Sequence, residues 1–142
     1  MDNTTDYSEI ISNLYIGDNK ATQLLSDSLN LVVNCTKELP VIFPNTIRIP
    51  IDEFPDYNNE LIKLLINTNV LDIIHSNLLK NEKVLVHCME GDQRSCAVVA
   101  CYLIKYHSLT VEKAIQLIRT KRQIAFSGNI SFIDAINYYY YS

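Results

Sequence analysis

The sequence predicts one α/β domain with a central, mostly parallel sheet flanked by helices, and three observations predict it. Short apolar, β-branched runs at residues 31–34, 47–51 and 84–86 alternate with longer segments whose apolar residues recur every three or four positions. The 142 residues are 48% hydrophobic, which suffices for one core. Three Gly and four Pro are too few for a linker-rich chain, and 20% charged residues with a mean hydropathy of +0.03 exclude a disordered one.

In chain order, residues 1–7 read as a flexible arm and 8–142 as the domain. Residues 10–17 form a strand closed by Gly17, and 20–25 a turn or two of helix. Residues 31–34 and 47–51 suit buried strands, while Pro40 and Pro44 forbid a continuous helix between them. Apolar periodicity predicts one helix over 61–79, with Asn58 or Asn59 as its cap. Strand 84–86 leads through a turn at 89–93 into a buried helix at 95–104. Helices at 111–121, capped by Thr110, and at 130–140 complete the chain. Right-handed crossovers then put a site beyond the C-terminal ends of the strands.

Charge and cysteine usage narrow the function. A net charge of −4 and a pI near 5.3 give no general attraction for nucleic acid or anionic membrane, so any phosphate recognition is local. Cys35, Cys88, Cys96 and Cys101 show neither a C-x-x-C pair nor zinc-ligand spacing, so no metal or other cofactor is expected. The acidic start, with Asp2 after Met1, is the reverse of a signal peptide and unsuited to myristoylation. No run of about 18 apolar residues could span a bilayer. Reduced thiols in a cytoplasmic-type compartment, or the nucleus, are expected.

The chemistry concentrates in His87-Cys88-Met89-Glu90-Gly91-Asp92-Gln93-Arg94-Ser95. A Cys ends a strand, and an Arg six positions later starts a helix. The loop between can aim successive N–H groups of Met89, Glu90, Gly91, Asp92, Gln93 and Arg94 into one concavity, to which the helix adds about half a positive charge. Gly91 supplies the residue free to take a positive φ. This field favours a thiolate at Cys88, Arg94 offers a planar fork for two phosphoryl oxygens, and the Ser95 hydroxyl can ease departure of the thiolate. A buried Cys and a surface Arg are each commonplace, but the five types at these offsets between strand and helix are not.

The stretch resembles the signature H-C-x-x-G-x-x-R-S of cysteine-dependent protein tyrosine phosphatases, and its surroundings are similar to the small dual-specificity phosphatases. Leu14-Tyr15-Ile16-Gly17, Leu31-Val32-Val33-Asn34-Cys35-Thr36, Ile49-Pro50-Ile51-Asp52, Ala100-Cys101-Tyr102-Leu103 and Asn129-Ile130-Ser131-Phe132 are similar to family landmarks in family order. The resemblance implies a phosphocysteine mechanism: Cys88 attacks, Arg94 and the loop amides hold the phosphoryl group, and an Asp on a neighbouring loop protonates the leaving oxygen and then activates water. It also implies a shallow pocket that accepts phosphotyrosine and phosphoserine or phosphothreonine on a protein substrate. A monomer or weak homodimer is expected.

Three carboxylates compete for the acid. The family pattern Ile-Pro-x-x-Asp puts Glu53 in the place of its Asp, counting back from Cys88 lands nearer Asp56, and Asp52 ends the strand. Asp52 is the first choice, Asp56 the second and Glu53 the third. Asp92 inside the cradle also departs from the pattern. A charge about 8 Å from the phosphate costs on the order of 1 kcal/mol per unit of substrate charge. That disfavours RNA 5′ ends and phosphoinositides as substrates. The other alternative is a catalytically weak phosphate-binding module. His87 is expected to order the loop, Asn129 to brace it, Lys121 and Arg122 to be a solvated helix end, and residues 138–141 to be half core and half surface.

Overall fold

Alternating side chains along two short strands decide the layering. In the computed structural model, which describes residues 6–142, the elements are β1 (Tyr7–Ile11), β2 (Leu14–Gly17), α1 (Ala21–Leu25), β3 (Leu31–Asn34) and β4 (Thr46–Arg48). They are followed by α2 (Asn58–Thr68), α3 (Val70–Leu79), β5 (Val84–His87), α4 (Arg94–His107), α5 (Val111–Lys121) and α6 (Ile133–Tyr141). Val32 and Leu85 turn to one face of the sheet and pack with Ala21 and Leu29 near α1. Leu31, Val33, Val84 and Val86 turn to the other and meet the remaining helices in the main core.

The sheet order is β1-β2-β5-β3-β4, antiparallel only between β1 and β2. β5 is therefore central, flanked by β2 and β3 in parallel. Residues 94–104 of α4 are all buried, with α3, α5 and α6 packed around them. The expected strands at 31–34 and 84–86 and the expected helix 111–121 are present, and Thr110 Oγ accepts from the Lys113 N–H at 3.1 Å as its cap.

Several boundaries differ from expectation. The strand expected at 10–17 is a hairpin: β1 and β2 meet around Asn13 (φ 70°), whose N–H donates to the Glu9 carboxylate at 2.9 Å. Tyr7 of the expected arm opens β1, and residues 1–5 lie outside the described residues. Thr46–Arg48 alone make the fourth ladder, because Pro50 has no N–H to donate and the chain bends, Ile51 N–H donating to the Ile49 carbonyl at 2.8 Å. The helix expected over 61–79 breaks at Asn69, which sits at φ 58° and lets α2 pack on α6 and α3 on α4. Asn58 does not cap α2; its Oδ1 accepts the Ala135 N–H at 2.9 Å and anchors the start of α6, itself delayed to Ile133 by Phe132 at φ 62°. Among the described residues no helix is long and apolar enough to cross a membrane.

Candidate active site

Both neighbours of β5 help aim the loop that follows it. The Cys88 N–H donates to the Gly17 carbonyl at the end of β2 (3.3 Å), and the Cys35 N–H just past β3 donates to the His87 carbonyl (2.8 Å). The chain then turns tightly at Gly91 (φ +71°). A Cβ there would lie 2.6 Å from Arg122 Nη2 and 2.7 Å from the Gly17 carbonyl oxygen, so glycine is required for both conformation and space. Gln93, at the N-cap position of α4, makes no side-chain cap, which leaves the first amides of that helix open to an anion.

Arg122 is not the solvated helix end expected from its place after α5. It is fully buried beneath the loop, where Nε donates to the Gly91 carbonyl (2.7 Å), Nη2 to the Glu90 carbonyl (3.1 Å) and Nη1 to Ser8 Oγ (3.1 Å). Holding those carbonyls outward leaves the amides of the same peptides free to face inward. Lys121 is exposed, as expected. Gln93 latches the far side: its Nε2 donates to the Ser127 and Asn129 carbonyls (both 3.0 Å), and its Oε1 accepts the Ser131 N–H (3.0 Å). Asn129 thus braces the loop through its backbone. Its side chain plays no part in that contact.

Cys88 is buried with its Sγ 3.2 Å from Ser95 Oγ. Arg94 is 3% exposed and bound on one side only: Nη1 donates to Glu38 Oε1 (3.2 Å) and to the Ile51 carbonyl (3.2 Å), and Nη2 donates to Glu38 Oε2 (2.9 Å). Its buried Nε has no hydrogen-bond partner. Those three bonds leave the Nε–H and the second Nη2–H, which share one edge of the guanidinium and form a vacant two-pronged donor. Burial opposes the charge of Arg94, but the Glu38 hydrogen bonds and the negative charges of Cys88, Glu38 and Glu53 outweigh it and hold the guanidinium above its ordinary pKa.

Glu38 was not visible as a site residue in the sequence. Its loop is shaped by Asn34 Oδ1, which accepts from the Thr36 N–H (3.1 Å) and hydroxyl (2.7 Å), and by Arg48, which donates to the Thr36 and Leu39 carbonyls (both 2.8 Å). The Arg94 hydrogen bond is the main reason the Glu38 carboxyl lies below its usual range. A carboxylate four residues beyond a strand that pairs with the cysteine-bearing strand was the signal available.

The three candidate acids separate. Asp52 turns to Lys37, with Nζ and Oδ2 2.9 Å apart. Glu53 faces the arginine, its Oε1 3.8 Å from Arg94 Nε. Burial pushes the Glu53 carboxyl up; Arg94 opposes this, and the nearby charges of Asp92, Glu90 and Glu38 add to it. Asp56 is on the exposed loop before α2.

His87 is buried, which holds its pKa below the imidazole norm, and its Nδ1 lies 3.5 Å from the Cys88 carbonyl oxygen. Burial likewise pushes the Cys35 and Cys96 thiols well up, and all four cysteines are unbridged. His75 lies far along the fold, stacked on Tyr106 at 3.9 Å and 2.9 Å from the Tyr102 hydroxyl.

Known proteins resemble this chain in sequence and in fold. Residues 14–142 match the family described as "Dual specificity phosphatase, catalytic domain". Human dual specificity protein phosphatase 21 is 27% identical over 139 residues, which are 93% of this chain and 71% of that protein. The tyrosine-protein phosphatase yvh1 of Schizosaccharomyces pombe is 30% identical over 146 residues, 98% of this chain but 43% of that protein. The crystal structure of human DUSP28 superposes with a TM-score of 0.83 at 22% identity, covering 95% of this chain and 93% of that one. A human tyrosine phosphatase-like serine/threonine/tyrosine-interacting protein superposes with a TM-score of 0.80 at 19% identity, covering 95% of each chain. These superpositions speak to fold alone, so what the site can do rests on its own side chains.

Proposed function

Since the chain belongs to the dual-specificity phosphatase family and is a cysteine-dependent protein phosphatase, we propose that Cys88, Arg94, Ser95 and Glu53 carry its chemistry on phosphotyrosine and phosphoserine or phosphothreonine side chains. The vacant Nε–Nη2 edge of Arg94 carries the reading. A buried donor without a partner is costly, and a phosphoryl group with two oxygens on that edge removes the cost. Its third oxygen and the free lone pairs of the other two meet the amides of residues 89–94 and the start of α4.

In the first step the Cys88 thiolate attacks phosphorus in line with the ester oxygen, so that the S–P bond forms as the P–O bond breaks. The leaving oxygen takes a proton from an acid, and charge on the equatorial oxygens is held by Arg94 and the loop. In the second step water loses a proton to the same carboxylate and attacks phosphorus. Inorganic phosphate departs, and the Ser95 hydroxyl donates to the thiolate as it leaves.

For the acid we assign Glu53 in preference to Asp52. Three observations support it: Asp52 is paired with Lys37, Glu53 flanks the vacant edge, and its pKa is raised, which keeps more of it protonated near neutrality.

Turnover of phenyl phosphate and of phosphotyrosine and phosphothreonine peptides by the wild type, Cys88→Ser, Glu53→Gln, Glu53→Asp and Asp52→Asn tests these assignments. Cys88→Ser loses turnover while still binding phosphopeptide. Glu53→Gln falls about 100-fold and loses the basic limb of its pH profile, a limb lying above the ordinary glutamate range; Glu53→Asp recovers part of both. A full loss in Asp52→Asn with an unaffected Glu53→Gln would return the role to Asp52. Turnover independent of Cys88 would sink the mechanism. Binding without turnover in the wild type would make the chain a phosphate-reading module.

A further inference from the structure

Resting on that phosphatase reading, we propose that the enzyme selects phosphoresidues flanked by lysine or arginine, and that the carboxylates around the cradle make the selection. Glu38 and Glu53 stand on either side of the Arg94 guanidinium, at 2.9 and 3.8 Å, and their side chains are about half exposed. Glu90 and Asp92 belong to the loop itself, Glu90 exposed and Asp92 partly so. All four lie close enough that Glu53 feels the other three charges.

Three cations of this region are engaged elsewhere. Arg94 is buried and its vacant edge belongs to the substrate's phosphoryl group. Arg122 is buried beneath the loop with its donors on Glu90, Gly91 and Ser8. Lys37, on the neighbouring loop, is held by Asp52. No Lys, Arg or His occurs between Met89 and Gln93.

With Glu53 holding its proton for the leaving oxygen and a phosphoryl group matched by Arg94, Glu38, Glu90 and Asp92 still leave the rim with net negative charge toward whatever flanks that group. Asp92 adds to that charge from within the loop: the residue is partly exposed, and its buried Oδ1 has no hydrogen-bond partner to offset it. A flanking Asp or Glu meets like charge on every side, which lowers its rate of capture as well as its affinity. Polyanions such as RNA 5′ ends and phosphoinositide headgroups suffer the same repulsion, and the net charge of −4 does nothing to relieve it.

The experiment compares three phosphotyrosine peptides of one length whose flanks are Lys/Arg, Ser/Gly or Asp/Glu. kcat/KM is measured with the wild-type chain at low and high salt, and dissociation constants with Cys88→Ser, which reads the preference without turnover. The basic peptide is expected to exceed the acidic one by about 30-fold at low salt, and the ratio to shrink several-fold at about 0.5 M salt, where exposed charges are screened. In Glu90→Gln/Asp92→Asn, with peptide rates normalised to phenyl phosphate, the ratio drops about tenfold. Equal rates and equal binding for the three peptides, a preference for the acidic one, or a ratio unchanged in the double variant would each overturn the proposal. If Cys88→Ser prefers the basic peptide while the wild type turns over none of the three, the selection stands and the phosphatase reading falls.

Discussion

Two arginines are buried against the same loop, and the loop uses them in opposite ways. Arg122 lies beneath it and gives its donors to carbonyls of the loop and to Ser8, so it shapes the backbone. Arg94 stands where the loop becomes helix; it is anchored along one side by Glu38 and the Ile51 carbonyl and keeps Nε without a partner. Burial alone would have classed the two together. What separates them is the distribution of satisfied donors: Arg122 gives its donors to the loop carbonyls and Ser8, and Arg94 keeps an Nε without a hydrogen-bond partner, which supports the proposed phosphoryl site.

The sharpest way to break that distinction is Arg94→Lys. It keeps the charge and loses the fork, so kcat/KM is expected to fall about 1,000-fold with a melting temperature within a few degrees of wild type. Arg122→Met should show the reverse order of damage. Orphaned loop carbonyls cost about 3 kcal/mol, read as a fall of about 10 °C in thermal unfolding, with loss of activity following from the deformed loop. If instead Arg122→Met unfolds like wild type, the division of labour is wrong.

Gly91→Ala probes the interface of the two regions. It forces a Cβ against Arg122 and Gly17 at a positive φ, and about 2 kcal/mol of destabilisation together with weakened phosphate protection is expected in a denaturant titration. Glu38→Gln is the mildest. The Glu38 carboxyl lies below its ordinary value of 4.5 in the folded chain, so the unfolded chain takes up its proton first on acidification. Its stabilisation is complete above that value and is lost as pH falls through the lower, folded one. Because Glu38 is half exposed, the contribution is under about 1 kcal/mol, and Glu38→Gln should remove this part of the acid sensitivity of unfolding.

Much of this architecture was legible because it depends on local pattern. The Cys88–Ser95 stretch between an apolar strand and an apolar helix specifies its own loop, and Thr110 announces the helix it caps. The breaks at Asn13 and Asn69 were not legible, since asparagine adopts a left-handed turn only where packing on both sides rewards it. Arg122 was misread because its partners are main-chain oxygens some thirty residues away, which leave no trace in residue type. Glu38 and Glu53 fall in the same class. Three carboxylates after β4 look equivalent in one dimension, and only the bend at Pro50 and the pull of Lys37 on Asp52 tell them apart.

The central place of β5 also bears on how the chain comes alive. Val84 pairs with Leu14 on one side and Leu31 on the other, contacts that join segments far apart in sequence, whereas the β1–β2 hairpin closes locally. Sheets assembled from such distant pieces form late and slowly. Cys88 follows β5 directly, so its cradle exists only after those last pairings close. A nascent or partly folded chain therefore carries Cys88 without the loop on which the proposed mechanism depends, and that mechanism becomes available only with the finished fold.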